Sequence, residues 1–163
     1  MNVELQPLDD SALWELIQSV ELIDIRLVRL EGELHDFGAD KVSDIDPELQ
    51  TQFRQTEKTI QCLWTLDTEV RDPDGDKIAD LGVSVLQVFA FTDPPMNRDI
   101  PNELLIEFIE KTAVLSVIPF VREAVQTMSV RLGLSPITFG LVRAGTTGPT
   151  AFSVRRHPPG KSA

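Results

Sequence analysis

The chain has 163 residues, 42% hydrophobic and 25% charged, which is ordinary for one globular domain and long enough to bury a core without disulfide staples. One cysteine, Cys62, excludes an intrachain disulfide and a cysteine-based metal site, and it fits a reducing, cytoplasmic setting. The formal net charge is -11, and its distribution argues against nucleic acid and anionic membranes as partners: residues 1–123 carry ten basic and 26 acidic residues, a net of -16, whereas the 40 residues after Glu123 carry five basic residues and no acid. Such a body attracts basic partners, although solubility alone also accounts for it.

The opening MNVELQPLDD lacks an apolar core, so no signal peptide is expected, and no apolar run approaches a membrane span. Residues 10–20 predict a short helix, with Leu13, Leu16, Ile17 and Val20 at helical spacing. ELIDIRLVRLEGEL then reads as a strand. Its apolar phase changes between Leu27 and Val28, which predicts a bulge or a long strand covered on opposite faces at its two ends. Residues 35–54 read as a long polar connection carrying Phe37, Val42, Ile45 and Phe53, and connections of that length are often functional.

A second strand alternates through Ile60, Cys62, Trp64, Leu66 and Val70. Asp74-Gly75 predicts a hairpin turn into a third strand, IADLGVSVLQVFAF, which becomes apolar on both faces near Phe89 and Phe91. After TDPPMNRDIPN come two helical stripes, separated by Pro119, which is expected to end or kink the first helix. Gly133 is placed as a helix stop, followed by a fourth strand, ITFGLVRAG. The reading is an α+β domain over residues 1–143, a four-stranded antiparallel sheet with a kinked or broken helix pair on one face. Residues 144–163 form a Gly/Pro-rich basic tail that is expected to be disordered.

Catalytic signatures are not found. The two histidines, His35 and His157, are far apart in sequence, so a metal site or a Ser-His-Asp arrangement would rest on His35 alone. DPDGD lacks the glycine and the bidentate glutamate of a calcium loop at the required spacing, and neither GxGxxG nor GxxxxGK occurs. No enzyme, metal or cofactor is expected.

The segment IPFVREAVQTMSVRLGLSPITFGLV resembles the helix-to-last-strand segment of the SecB family of protein-export chaperones, with Pro119, Phe120, Arg122, Glu123, Arg131 and Pro136 on the family pattern. LIDIRLVRLEGEL resembles the first strand of that family, most closely in the SecB-like chaperones associated with toxin–antitoxin modules. Phe120 stands where a tyrosine is usual, and the chain after Val142 lacks the amphipathic C-terminal helix of typical SecB.

The resemblance implies an ATP-independent holdase, a homotetramer built as a dimer of dimers, that keeps unfolded polypeptides in apolar grooves. Its clients would be export precursors or a dedicated antitoxin, with a SecA-type motor as a further partner and no direct membrane insertion. On this reading Phe37, Val42, Ile45, Phe53, Trp64, Phe89 and Phe91 are client-binding candidates, although Trp64, Phe89 and Phe91 also suit a core. Pro119, Phe120, Arg122 and Glu123 are scaffold and assembly residues, and Glu31 and Glu33 are candidates for partner docking. The tail segment TAFSVRRH suits a pseudo-client resting in a groove. The distant alternative is a small-ligand-binding or enzymatic α+β domain, which would show a closed pocket with convergent polar groups.

Overall fold

Alternation builds the sheet. In the computed structural model, which describes residues 10–43, 45, 47–93, 99–138 and 143–149, the elements are α1 (Asp10–Ser19), β1 (Val20–Leu34), β2 (Glu48–Gln55), β3 (Thr59–Arg71), β4 (Lys77–Phe91), α2 (Asn102–Phe108), a π-helical turn (Ile109–Ala113), α3 (Val114–Arg131) and β5 (Arg143–Pro149). The strand order is β1-β4-β3-β2-β5. The first four strands pair antiparallel, and β5 joins the β2 edge in parallel.

On β3 the residues Ile60, Cys62, Trp64 and Leu66 are fully buried, and the intervening residues lie on the opposite face, as a two-residue period requires. Their partners Phe89, Gln87, Val85 and Val83 on β4 share that face. The helical layer covers it, and the Phe89 and Phe108 rings meet edge to face at 5.1 Å. The β3–β4 turn forms at the expected Asp74-Gly75: Gly75 takes φ 88°, and the Asp72 carboxylate accepts from the backbone N–H groups of Asp74 and Asp76.

The phase change in β1 is a bulge. Pairing with β4 slips between Leu27 and Arg29, so Leu27 and Leu30 lie opposite Val85 and Val83, two residues of one face. A second slip lies between Leu22 and Asp24. Without the slips, one end of this strand would turn its apolar residues away from the helices.

Three expectations need correction. The connection after β1 is shorter than read, because ELQTQFRQ forms β2: Leu49, Thr51 and Phe53 are buried while Gln50, Gln52 and Arg54 lie on the other face. The last strand begins later than expected. Residues 134–138 carry no regular structure, and Phe139 to Val142 of ITFGLVRAG lie outside the described residues. The strand observed, Arg143–Pro149, runs into the segment expected as a tail. Finally, of the end or kink expected at Pro119, the end does not occur: Pro119 lies inside a continuous α3. Burial of Val117, Val121, Ala124 and Val125 on either side outweighs the hydrogen bond lost at the proline. The irregular turn lies upstream, at Ile109–Ala113.

Gly133 ends α3 as expected. It takes φ 77°, its N–H donates to Val130 O at 3.0 Å, and the N–H of Leu134 donates to Ser129 O at 3.0 Å, closing the helix with both bonds of a Schellman motif. One close approach sets the spacing of the two layers. A Cβ on Gly32 of β1 would lie 2.7 Å from Met128 Sδ of α3. No helix among the described residues is long and apolar enough to cross a membrane.

Candidate functional site

The sheet has one covered face and one open face, and the candidate residues divide between core, connection and open face accordingly. Phe53, Trp64, Phe89 and Phe91 go to the core, none more than 5% exposed, so none presents a surface to a partner in this conformation. For Phe53 this corrects the expectation of a surface loop. Trp64 belongs to a buried polar chain that joins the layers: its Nε1–H donates to Gln87 Oε1 at 2.9 Å. Gln87 Nε2 in turn donates to Ala113 O at 3.0 Å and to Ser116 Oγ at 2.6 Å. Ala113 ends the π-helical turn, so the irregular turn and the glutamine meet at one carbonyl. Sequence reasoning missed Gln87, a polar residue within the apolar stretch Val85–Phe91.

Phe37, Val42 and Ile45 all belong to the β1–β2 connection. Phe37 is 88% exposed, while Val42 and Ile45 are half-buried against the core. The connection is pinned along its length: Ser43 N–H donates to Arg71 O at 2.8 Å, and Ser135 N–H donates to Asp40 O at 2.9 Å. Phe37 is therefore an exposed aromatic on a tethered segment.

The assembly candidates Pro119, Phe120, Arg122 and Glu123 are exposed on α3. α3 packs against β1, which among the described residues is the outer strand of the sheet on that side, with Leu22, Ile23 and Leu27 between 40% and 56% exposed. Leu115 on α3 is also largely exposed. A long edge strand with apolar side chains and an unpaired backbone row is a template for another chain. The phase change at Leu27 was the signal in the sequence. Which side of β1 lacked a neighbour was not visible there.

Glu31 and Glu33 line an open depression of about 650 Å³ on the uncovered face, together with Asp67, Glu69, Asp80 and Gly82. Arg29 pairs with two of these carboxylates, 2.6 Å from Asp67 Oδ1 and 3.3 Å from Glu31 Oε2. A Cβ on Gly82 would come within 2.8 Å of Arg29 Nη1 and 2.9 Å of Asp67 Oδ1, so the glycine makes room for this ion pair. At the rim, a hydrogen bond from His35 and then one from Lys77 hold the Asp80 carboxyl below its ordinary range. The Lys77 ammonium is held above its ordinary value chiefly by its bond to Asp80. The depression is a carboxylate-rich surface suited to a cationic partner.

No protein-family model matches the chain. Among solved structures it is similar to the Mycobacterium tuberculosis Rv1957 SecB-like chaperone, solved in complex with a ChAD peptide from the Rv1956 HigA1 antitoxin, with a TM-score of 0.68 and 18% identity over 81% of this chain and 96% of that one. The fold is thus the SecB-like one, an antiparallel sheet of four strands beneath a joined helix. Among curated proteins it is 31% identical to the SecB-like chaperone SmegB of Mycolicibacterium smegmatis over 132 residues, 80% of this chain and 81% of that protein. The chain belongs to the family of SecB-like chaperones.

Proposed function

We propose that this chaperone is an ATP-independent holdase of the cytoplasm, not an enzyme, with an antitoxin as its dedicated client. The observation that carries this reading is the exposed Phe37 on a connection whose backbone is tethered and whose Val42 and Ile45 pack against the core: an aromatic contact for a polypeptide on a segment already held in place. The antitoxin peptide bound to the structural relative supports the choice of client.

Self-association into a dimer of dimers would use the outer edge of β1 with the exposed side of α3, where Leu22, Ile23, Leu27 and Phe120 need cover. Glu31 and Glu33 offer a docking surface for a basic partner, which includes a SecA-type motor if export precursors are also clients.

The test is suppression of aggregation, with an antitoxin encoded alongside and two unrelated unfolded proteins as clients. Selective protection of the antitoxin is expected, and Phe37→Ser should weaken it by roughly tenfold, the worth of one aromatic contact. Equal protection of every client would instead favour a general holdase, and protection of none would sink the chaperone reading of this surface.

A second arm addresses β5. This strand reads RAGTTGP, poor in strand formers, yet it pairs alongside β2, with Leu49 opposite Ala144 and Phe53 opposite Pro149. Removing residues 143–163 should free the β2 edge and raise client affinity several-fold if the strand is a stand-in for client. Lower affinity would make it part of the scaffold.

A further inference from the structure

His35, which the sequence left without partners for metal chemistry, is not alone in the fold. Side chains two residues apart on a strand share a face. His35 follows the last residue of β1, but its N–H donates to Ile78 O at 2.8 Å, so pairing with β4 continues to this point. Glu33 and His35 thus stand on the open face, and Glu33 lies opposite Asp80 of β4. One donor atom from each of the three side chains lies within 4.8 Å of the other two. His35 Nε2 and Asp80 Oδ2 are 2.7 Å apart. The carboxylates and the imidazole come from two strands locked in register, so the arrangement depends little on loop conformation.

From this we infer that Glu33, His35 and Asp80 form a binding site for a divalent transition-metal ion such as Zn2+. An imidazole among the donors favours zinc, cobalt or nickel over calcium and magnesium, which prefer all-oxygen sites. Three protein ligands leave the fourth tetrahedral position to water or to a group from a partner. Around zinc, neighbouring ligand atoms sit about 3.3 Å apart, as bond lengths near 2.0–2.1 Å require. The donor atoms lie within 4.8 Å of one another, so reaching that spacing requires side-chain rotation, for which Glu33 and His35 are exposed and Asp80 half-exposed.

Lys77 is the competitor. Its ammonium is 3.1 Å from Asp80 Oδ2 and 3.6 Å from Glu69 Oε1, so it can yield Asp80 to an ion while keeping Glu69. The site lies at the rim of the acidic depression, and an ion held there would cancel part of that surface's negative charge. Occupancy would tune the attraction for a cationic partner.

The experiment is a titration of the full, tag-free chain with Zn2+ by calorimetry and with Co2+ by visible absorption. One ion per chain is expected, with affinity at least tenfold weaker in His35→Ala and in Asp80→Asn, unchanged in His157→Ala, and tighter in Lys77→Ala. Circular dichroism of each variant checks that the sheet survives. Binding should also weaken on acidification, because the imidazole must be neutral and the carboxylates ionised to ligate. Saturable binding that persists in His35→Ala, binding that vanishes in His157→Ala, or no saturable binding in either the wild type or Lys77→Ala overturns the inference.

Discussion

Trp64→Ala is expected to lower the free energy of unfolding by about 3–5 kcal/mol, a large share of what a domain of this size has. Trp64 is the largest fully buried side chain, so its removal leaves a cavity beneath the helical layer. It also strands Gln87 Oε1, whose donor is the indole N–H at 2.9 Å. The two effects separate by substitution. Trp64→Phe refills much of the volume and should cost about 1–3 kcal/mol, reflecting the unmet acceptor. A cycle with Gln87→Leu then isolates the coupling of the pair, the single Gln87→Leu variant carrying the separate loss of the donor to Ala113 O and Ser116 Oγ. The measurement is urea unfolding at fixed chain concentration, since association contributes to apparent stability. A Trp64→Phe variant as stable as the wild type would mean that the buried polar chain adds nothing net.

If the chain assembles through the β1 edge as proposed, Ile23→Lys should lower the assembled mass while leaving the fold intact. Ile23 lies where β1 slips against β4, and its side chain is 56% exposed, so the substitution disturbs little within one chain. Covering the exposed half of such a side chain contributes about 1 kcal/mol, and a two-fold interface counts each substitution twice, so about 2 kcal/mol is lost per dimer. Lysine on an edge strand also opposes pairing with another strand. Light scattering coupled to size exclusion reads the outcome, with Gln126→Lys on the exposed side of α3 as a charge control. An Ile23→Lys protein that keeps its assembled mass would place the interface elsewhere.

How much of this was legible depended on whether the signal was local. The alternation of Ile60 to Val70, the Asp74-Gly75 turn and the Gly133 stop are short-range patterns, and each took the form it predicted. The slip at Leu27 was legible too, because a phase change has few structural causes. β2 was missed because Gln50, Gln52 and Arg54 on its open face mask the inward Leu49 and Phe53, so the segment reads as polar. The unbroken α3 reflects packing that overrides the local preference of Pro119. The fate of Phe53 and Trp64 was ambiguous for a related reason: period two assigns residues to faces but does not say which face is covered. The meeting of His35 with Asp80 depends on register between strands 45 residues apart in sequence, to which no local pattern has access.

Cys62 lies midway along β3 with no exposed surface, and burial pushes its thiol up to about 12. Thiol reagents attack the thiolate, so the folded chain is inert to them and only an opened molecule reacts. As the chain has no other cysteine, alkylation counts openings of the central sheet and nothing else. The protein therefore carries its own single-site chemical clock, whose rate tracks how often the core comes apart and whether a bound polypeptide slows that opening.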